Sequence, residues 1–264
     1  MRALLAIARK ELTVAFATPV AWVLFMVMAF FAAQFFNGGL DAYRFLSLRA
    51  SQLQSPELLA HLNVTERVLS PLFGSMGVFV ILVAPFLSMR LFAEEKRTRT
   101  FELLLTAPVR PFEIVLGKYL AALALLLVAL LLVALFPLLL SFYSGGLSGG
   151  AGVEWQTVGT ALLGLFLLGA MALAVGMFVS ALTESVIVAA LVSLLFLLGL
   201  WVVTIFTIGV EGPVRELTGA LSASEHLSAF LSGRIEAKDV VYYLSFVALG
   251  LYLTDRAVEG HRWG

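Results

Sequence analysis

Apolar residues in this chain fall into long uninterrupted runs. "PVAWVLFMVMAFFAAQFF" holds no Asp, Glu, Lys or Arg from Pro19 to Phe36, and a second run containing "PLFGSMGVFVILVAPFLSM" fills Val68 to Met89. A third, inside the uncharged tract from Tyr119 to Val153, ends near Tyr143, where "SGGLSGGAG" predicts a loop. Trp155 to Thr183 and Ser185 to Val210 are two more, parted by a turn at Glu184. About 20 helical residues cross the roughly 30 Å hydrocarbon core of a bilayer, so these runs predict membrane-spanning helices. A sixth run, Val240 to Thr254, has 15 residues and reaches only about 22 Å. It spans only if Lys238 and Arg256 snorkel or the bilayer thins. The pattern predicts an all-α integral membrane protein: one transmembrane domain over 1–264, with spans at about 19–36, 68–93, 117–143, 155–182, 186–209 and 239–255.

Three polar segments interrupt this pattern. "RALLAIARKELTVAFATP" sets Leu4, Leu5, Ala8, Leu12 and Phe16 near one helical face, with Arg2, Arg9 and Lys10 largely elsewhere. This predicts an amphipathic elbow helix over 2–16 in the membrane interface; the alternative is an extension of the first span. "RLFAEEKRTRTFELLLTAPVR", residues 90–110, gathers Arg90, Glu94, Glu95, Lys96 and Arg97, which suit a solvated continuation of the second span. Thr100 then stands where it would cap a short helix from Phe101 to Thr106, ended by Pro108. Phe101, Leu104 and Leu105 would share a face, an apolar knob standing in water unless something receives it. In 211–239, Ser222 and Glu225 have capping-box spacing and Gly233 is a stop. A short helix there, bearing Leu227, Phe230 and Leu231, predicts a re-entrant hairpin before the sixth span.

Composition agrees. Of 264 residues, 61% are hydrophobic and only 34 are charged, too few to clothe a soluble globule of this size, and the mean hydropathy is +1.01. Zero net charge removes the bulk electrostatic reason to expect nucleic acid, and the absence of Cys excludes disulfides and thiol chemistry. Arg9, Lys10 and Glu11 interrupt any apolar leader segment. Eleven of the seventeen Lys and Arg lie on the side of the termini and of 90–118. The positive-inside rule therefore puts both termini in the cytoplasm.

Catalytic chemistry is sparse. His61, His226 and His261 are scattered and read as loop residues. "LGKY" at Gly117 and Lys118 fails the phosphate-loop pattern at Phe112 and Tyr119. "NVT" at Asn63 matches a glycosylation acceptor by spacing alone. The spans carry almost no ionisable groups, against an ion-driven carrier or an intramembrane hydrolase. Transport energy would then enter through a surface outside the bilayer.

"MRLFAEEKRTRTFELLLTAPVRPFEIVLGKYLAA", "SALTESVIVAALVSLLFLL" and "LSASEHLSAFLSGRIEAKDVVYYLSFVALGLYLTDRAVEGHRW" resemble the permease subunits of bacterial ABC type-2 exporters, most closely the gliding-motility-associated branch. The resemblance implies six spans, an elbow helix near Arg2 to Phe16, and a cytoplasmic coupling helix at about 98–110 seated in a cleft of a separate ABC ATPase subunit. Arg99, Phe101, Glu102, Leu104, Leu105 and Arg110 would be its partner contacts. It implies two permease chains, identical or paralogous, working with two ATPase chains in the bacterial inner membrane. ATP and Mg would sit on the ATPase, with no catalytic, cofactor or metal site in this chain. The same spans would also serve a channel or scramblase needing no ATP, marked by ATP-independent flux. A membrane anchor for a motility or envelope assembly is the other alternative, marked by tolerance of an inactive ATPase. Ala121, Ala172 and Gly176 are hints of a protomer seam, since small residues let membrane helices approach closely.

Overall fold

The computed structural model describes residues 2–53, 63–101, 110–144, 153–207 and 212–263, and every regular element among them is helical. In chain order these are α1 (Arg2–Ala17), α2 (Pro19–Gln52), α3 (Ser70–Ser88), α4 (Arg90–Arg97), α5 (Pro111–Ser144), α6 (Trp155–Leu182), α7 (Val186–Val202), α8 (Pro213–Leu221), α9 (Ala223–Leu231) and α10 (Ala237–Trp263). A π-helical turn, Thr65–Leu69, leads into α3, and a 3-10 turn, Val203–Thr207, extends α7. Five stretches are long and apolar enough to cross a membrane: Pro19–Gln52, Thr65–Arg97, Pro111–Phe142, Trp155–Leu182 and Val186–Phe206.

α6 is the axis of the bundle. Every residue from Leu167 to Met177 is buried, and α3, α5, α7, α9 and α10 all pack on it. Lipid offers no hydrophobic contrast to an apolar helix, so close packing must hold the bundle together, and small residues permit the approach. A Cβ on Gly164 would lie 2.6 Å from the Phe230 Cβ of α9. One on Gly176 would fall on the Ser88 hydroxyl of α3, 3.0 Å from its Cβ, and Gly250 of α10 rides against the backbone of Ala174. Ala121, Ala172 and Gly176 are thus buried inside one chain, which accounts for the small residues without a protomer seam.

α10 runs parallel to α6 along most of its length, from Tyr243, hydrogen-bonded to the Ala223 carbonyl, past Gly250 at Ala174. It is a 27-residue helix, yet charges at both ends keep it outside the five apolar stretches. α2 is longer than its apolar run: its 34 residues extend about 51 Å, through Asn37, Gly38 and Gly39 to Gln52. The helix of the first span, expected at about 19–36, therefore continues to residue 52, with Gly39 close against Val68 of the π-helical turn.

At the end of the bundle away from α1, the hairpin forms as its capping residues predict. Ser222 accepts the Glu225 amide at the start of α9. Gly233, at φ +77°, closes it with paired bonds from the Gly233 and Arg234 amides to the Phe230 and Ala229 carbonyls. Leu227 and Phe230 are buried, meeting Gly77 and Gly164 some two turns inside α3 and α6. Asn63 does not present a free amide there: it donates to Glu154, and its oxygen accepts the Thr65 amide.

Gly176→Val overpacks the α3–α6 contact. The expected result is a loss of roughly 1–3 kcal/mol, read as a lower melting temperature of the detergent-solubilised chain.

Candidate functional site: the elbow end of the bundle

α1 turns into α2 at Thr18, whose extended backbone (φ −94°, ψ 147°) precedes Pro19 at the first helical position. Phe16, Trp22 and Phe25 cluster around this corner, and the Trp22 indole donates to the Phe16 carbonyl at 2.9 Å. The packed face of α1 differs from the expected one: Leu4, Ile7, Ala8, Glu11, Leu12 and Ala15 turn inward, while Leu5 and Phe16 are exposed. Gly117 of α5 makes this possible, since a Cβ there would stand 3.0 Å from the Leu4 carbonyl and 3.1 Å from Ile7.

Glu11 faces inward because a cation awaits it. Lys118, 1% exposed, sends its Nζ to Glu11 Oε1 at 3.0 Å and to Glu95 Oε1 of α4 at 2.8 Å. Lys10 reaches the same two oxygens at 3.3 Å each from the rim. Two cations and two carboxylates thus join α1, α4 and α5, with the Phe92 ring 5.3 Å from Lys118 Nζ. For Glu11, burial pushes the carboxyl up, but Lys118 and Lys10 prevail and hold it below its ordinary 4.5. For Lys10, burial pushes down, and Glu11 and Glu95 prevail to hold it above 10.5.

The break between α3 and α4 is fastened to the axial helix by one hydroxyl. Ser180 Oγ donates to the Met89 carbonyl at 2.8 Å and accepts the Phe92 and Ala93 amides at 3.2 and 3.0 Å. One donor and two acceptor sites are all a hydroxyl has. Lys96 adds a bond to the Ala181 carbonyl.

Past α4 the chain turns sharply. Arg99 has φ 56°, the sole non-glycine at positive φ among the described residues, and the Arg99 and Thr100 amides bond back to the Lys96 and Glu95 carbonyls. This is a left-handed helix stop at a position glycine usually fills. The Thr100 amide closes α4, and Phe101 directly after it is helical, which is where the spacing puts the start of the next helix. The expected exposure of Phe101 is corrected: it is 5% exposed, edge-on to Phe92 at 6.1 Å with Lys96 Nζ 5.5 Å from its ring. It anchors the segment inward and is no knob in water. Arg99 and Arg110 are exposed. Glu102, Leu104 and Leu105, with the rest of the expected coupling helix, lie outside the described residues.

The charge cluster escaped the sequence reading, although "GK" at 117 and 118 was visible as a failed phosphate loop. Its signal was a glycine and a lysine at the start of a span, opposite an acidic residue in an amphipathic helix. His226, read as a loop residue, sits in α9 with Nδ1 2.6 Å from Asp239 Oδ1, stacked on Tyr242. Among the described residues no three His, Cys, Asp or Glu gather as metal ligands.

Lys118→Met leaves two partly buried carboxylates without their main counter-charge. It is expected to cost about 3–5 kcal/mol in thermal unfolding, with part regained on adding Glu11→Gln and Glu95→Gln. The depressed Glu11 carboxyl stabilises fully above pH 4.5, and that contribution fades as pH falls through its folded value. The raised Lys10 contributes fully below 10.5 and fades as pH rises through its folded value. A melting temperature followed across pH should fall on acidification below about 4.5, less steeply in Glu11→Gln.

No curated protein matches this sequence. Residues 5–253 match the family described as ABC-2 family transporter protein. That match covers nearly the whole chain, from α1 through most of α10, and the chain belongs to this family of membrane-embedded ABC transporter permease subunits.

Proposed function

We propose that this chain is the permease half of an ATP-driven exporter in a bacterial inner membrane, of the gliding-motility-associated branch. Six helices, α2, α3, α5, α6, α7 and α10, cross the bilayer, and the elbow end with both termini faces the cytoplasm. A second permease chain, identical or paralogous, completes the membrane unit. A separate ABC ATPase carries ATP and Mg, and this chain has no nucleotide site of its own. The parallel course of α10 beside α6 supports the sixth crossing. The excess of Lys and Arg on the elbow side supports the orientation.

The observation that carries the reading is the strained stop at Arg99. A non-glycine residue in the left-handed region costs about 1–2 kcal/mol, and such strain clusters where chain direction serves a function. Here it turns the chain sharply between α4 and Phe101. Phe101, Lys96 and Ser180 tie the segment's root to α4 and α6. Force delivered to Arg99, Glu102, Leu104, Leu105 and Arg110 by a closing ATPase dimer would pass through that root to the axial helix. Phe101 serves as the inner anchor of the contact.

Leu104→Asp tests this in the purified chain with its cognate ATPase. Association should weaken at least tenfold and permease-stimulated ATP hydrolysis should disappear, with the melting temperature of the isolated chain unchanged. Unaltered association and transport would remove the assigned role. Arg99→Gly relieves the strain: it should raise stability by about 1 kcal/mol while weakening ATPase association, because the guanidinium is lost.

A further inference from the structure

No residue of α8 is buried, so packing contributes little to hold this helix in place. Its last carbonyls, which no amide of its own helix can reach, carry the attachment. The Ser222 amide donates to the Gly219 carbonyl, the Tyr242 hydroxyl of α10 donates to that of Leu221 at 2.7 Å, and His226 Nε2 of α9 stands 3.2 Å from that of Ala220. Three helices therefore meet at the His226 ring.

That ring lies between two acceptors. Nδ1 is 2.6 Å from Asp239 Oδ1 of α10, and Nε2 faces the Ala220 carbonyl. A carbonyl only accepts, so Nε2 must carry a hydrogen, and the short contact to Asp239 needs another, whether it rests on the ring or on the carboxyl. Two contacts need two protons. A neutral imidazole beside a carboxylate has one, so it keeps one contact and turns a bare lone pair on the other acceptor.

The surroundings suit the two-proton form. The ring stacks on Tyr242 with centroids 4.0 Å apart, and an aromatic face attracts a cation. Asp239 is 1% exposed, and a buried carboxylate is costly without a counter-charge. The ring also lines a cavity of about 990 Å³, where Glu216, Glu225, Glu236 and Asp239 stand against Arg215, Arg234 and Lys238. Those charges balance only when the ring is positive. Glu236 and Lys238 are themselves paired at 2.7 Å, and Tyr243 meets the ring edge-on. With its side chain 11% exposed, His226 exchanges protons with water. Phenols keep their hydrogens up to about pH 10, so the Tyr242 bond does not respond near neutrality.

We propose that His226 and Asp239 form a proton-binding clasp. With two protons across its contacts the ring holds the end of α8 against α9 and α10; losing one frees Ala220 and lets α8 swing about the Tyr242 bond. With the elbow end in the cytoplasm, as proposed above, the clasp senses acidity on the outer side. It needs neither that orientation nor an ATPase to operate.

The test uses the full chain in detergent. It carries His61→Gln and His261→Gln, so that only His226 gives imidazole signals from ¹⁵N-labelled histidine. The natural chain has no Cys, so Leu217→Cys on α8 and Val241→Cys on α10, both at exposed positions, take spin labels for distance measurement. Imidazole ordinarily changes charge between about pH 5 and pH 8, and both readouts are taken at those two ends. Both ring nitrogens should be protonated at the acid end, and Nε2 should be bare at the other. Over that range the ratio of docked to released α8 should fall about tenfold, roughly one charge-assisted hydrogen bond. His226→Phe, which keeps a ring on Tyr242, should leave α8 released at both ends. Asp239→Asn, whose amide supplies the second hydrogen to Nδ1, should keep α8 docked at both. An unchanged number of ring protons, an α8 position indifferent to their loss, or a pH response that survives in His226→Phe would each overturn the proposal. The first two are read with the clasp residues intact, so they decide the matter even if a clasp variant fails to fold.

Discussion

A helix enclosed by other helices has no surface to spare for bulk, and the fold depends on α6 obeying that constraint. Eleven consecutive residues, Leu167 to Met177, are buried, so each of their directions meets protein. In a bilayer the driving force comes from packing and not from escape from water. Glycines at 164, 169 and 176 let α9, α5 and α3 approach, while Ala174 receives Gly250 of α10. The remaining helices take their positions from this axis.

The elbow end answers a different problem. Lys118 is fully enclosed, and an enclosed ammonium persists only with counter-charge and hydrogen bonds. Glu11 and Glu95 supply both, from a helix that precedes the first span and from one that follows the second. The result ties α1 to the place where α4 leaves the bundle. An amphipathic helix that merely floated in the interface would need no such partner. Gly117 shows that the backbone, too, is shaped for the contact.

The five stretches long and apolar enough to cross a membrane were legible as runs of apolar residues, since charge-free length is a one-dimensional property of the chain. The end of α6 at Leu182 and the Ser222 and Gly233 caps were legible for the same reason: they are local. α10 was marginal because its place depends on packing against α6, which no window of hydropathy contains. The extension of α2 to Gln52 was hidden because the apolar run ends at Phe36, while the contact of Gly39 with Val68 that accompanies its helical course is 29 residues away. The charge cluster was illegible because its members are separated by 84 and 23 positions, Glu11 to Glu95 and Glu95 to Lys118. Phe101 was expected in water since its spacing with Leu104 and Leu105 says nothing about Phe92 and Lys96 beneath it.

Ser180 shows what such fastening implies for movement. With its single hydrogen and both lone-pair sites engaged by three groups around Met89, the hydroxyl acts as a peg seated in a notch. A peg permits no creeping. The α3–α4 corner and α6 must travel as one piece, or else the peg lifts out and reseats in a single jump, giving the bundle the behaviour of a ratchet and denying it that of a spring.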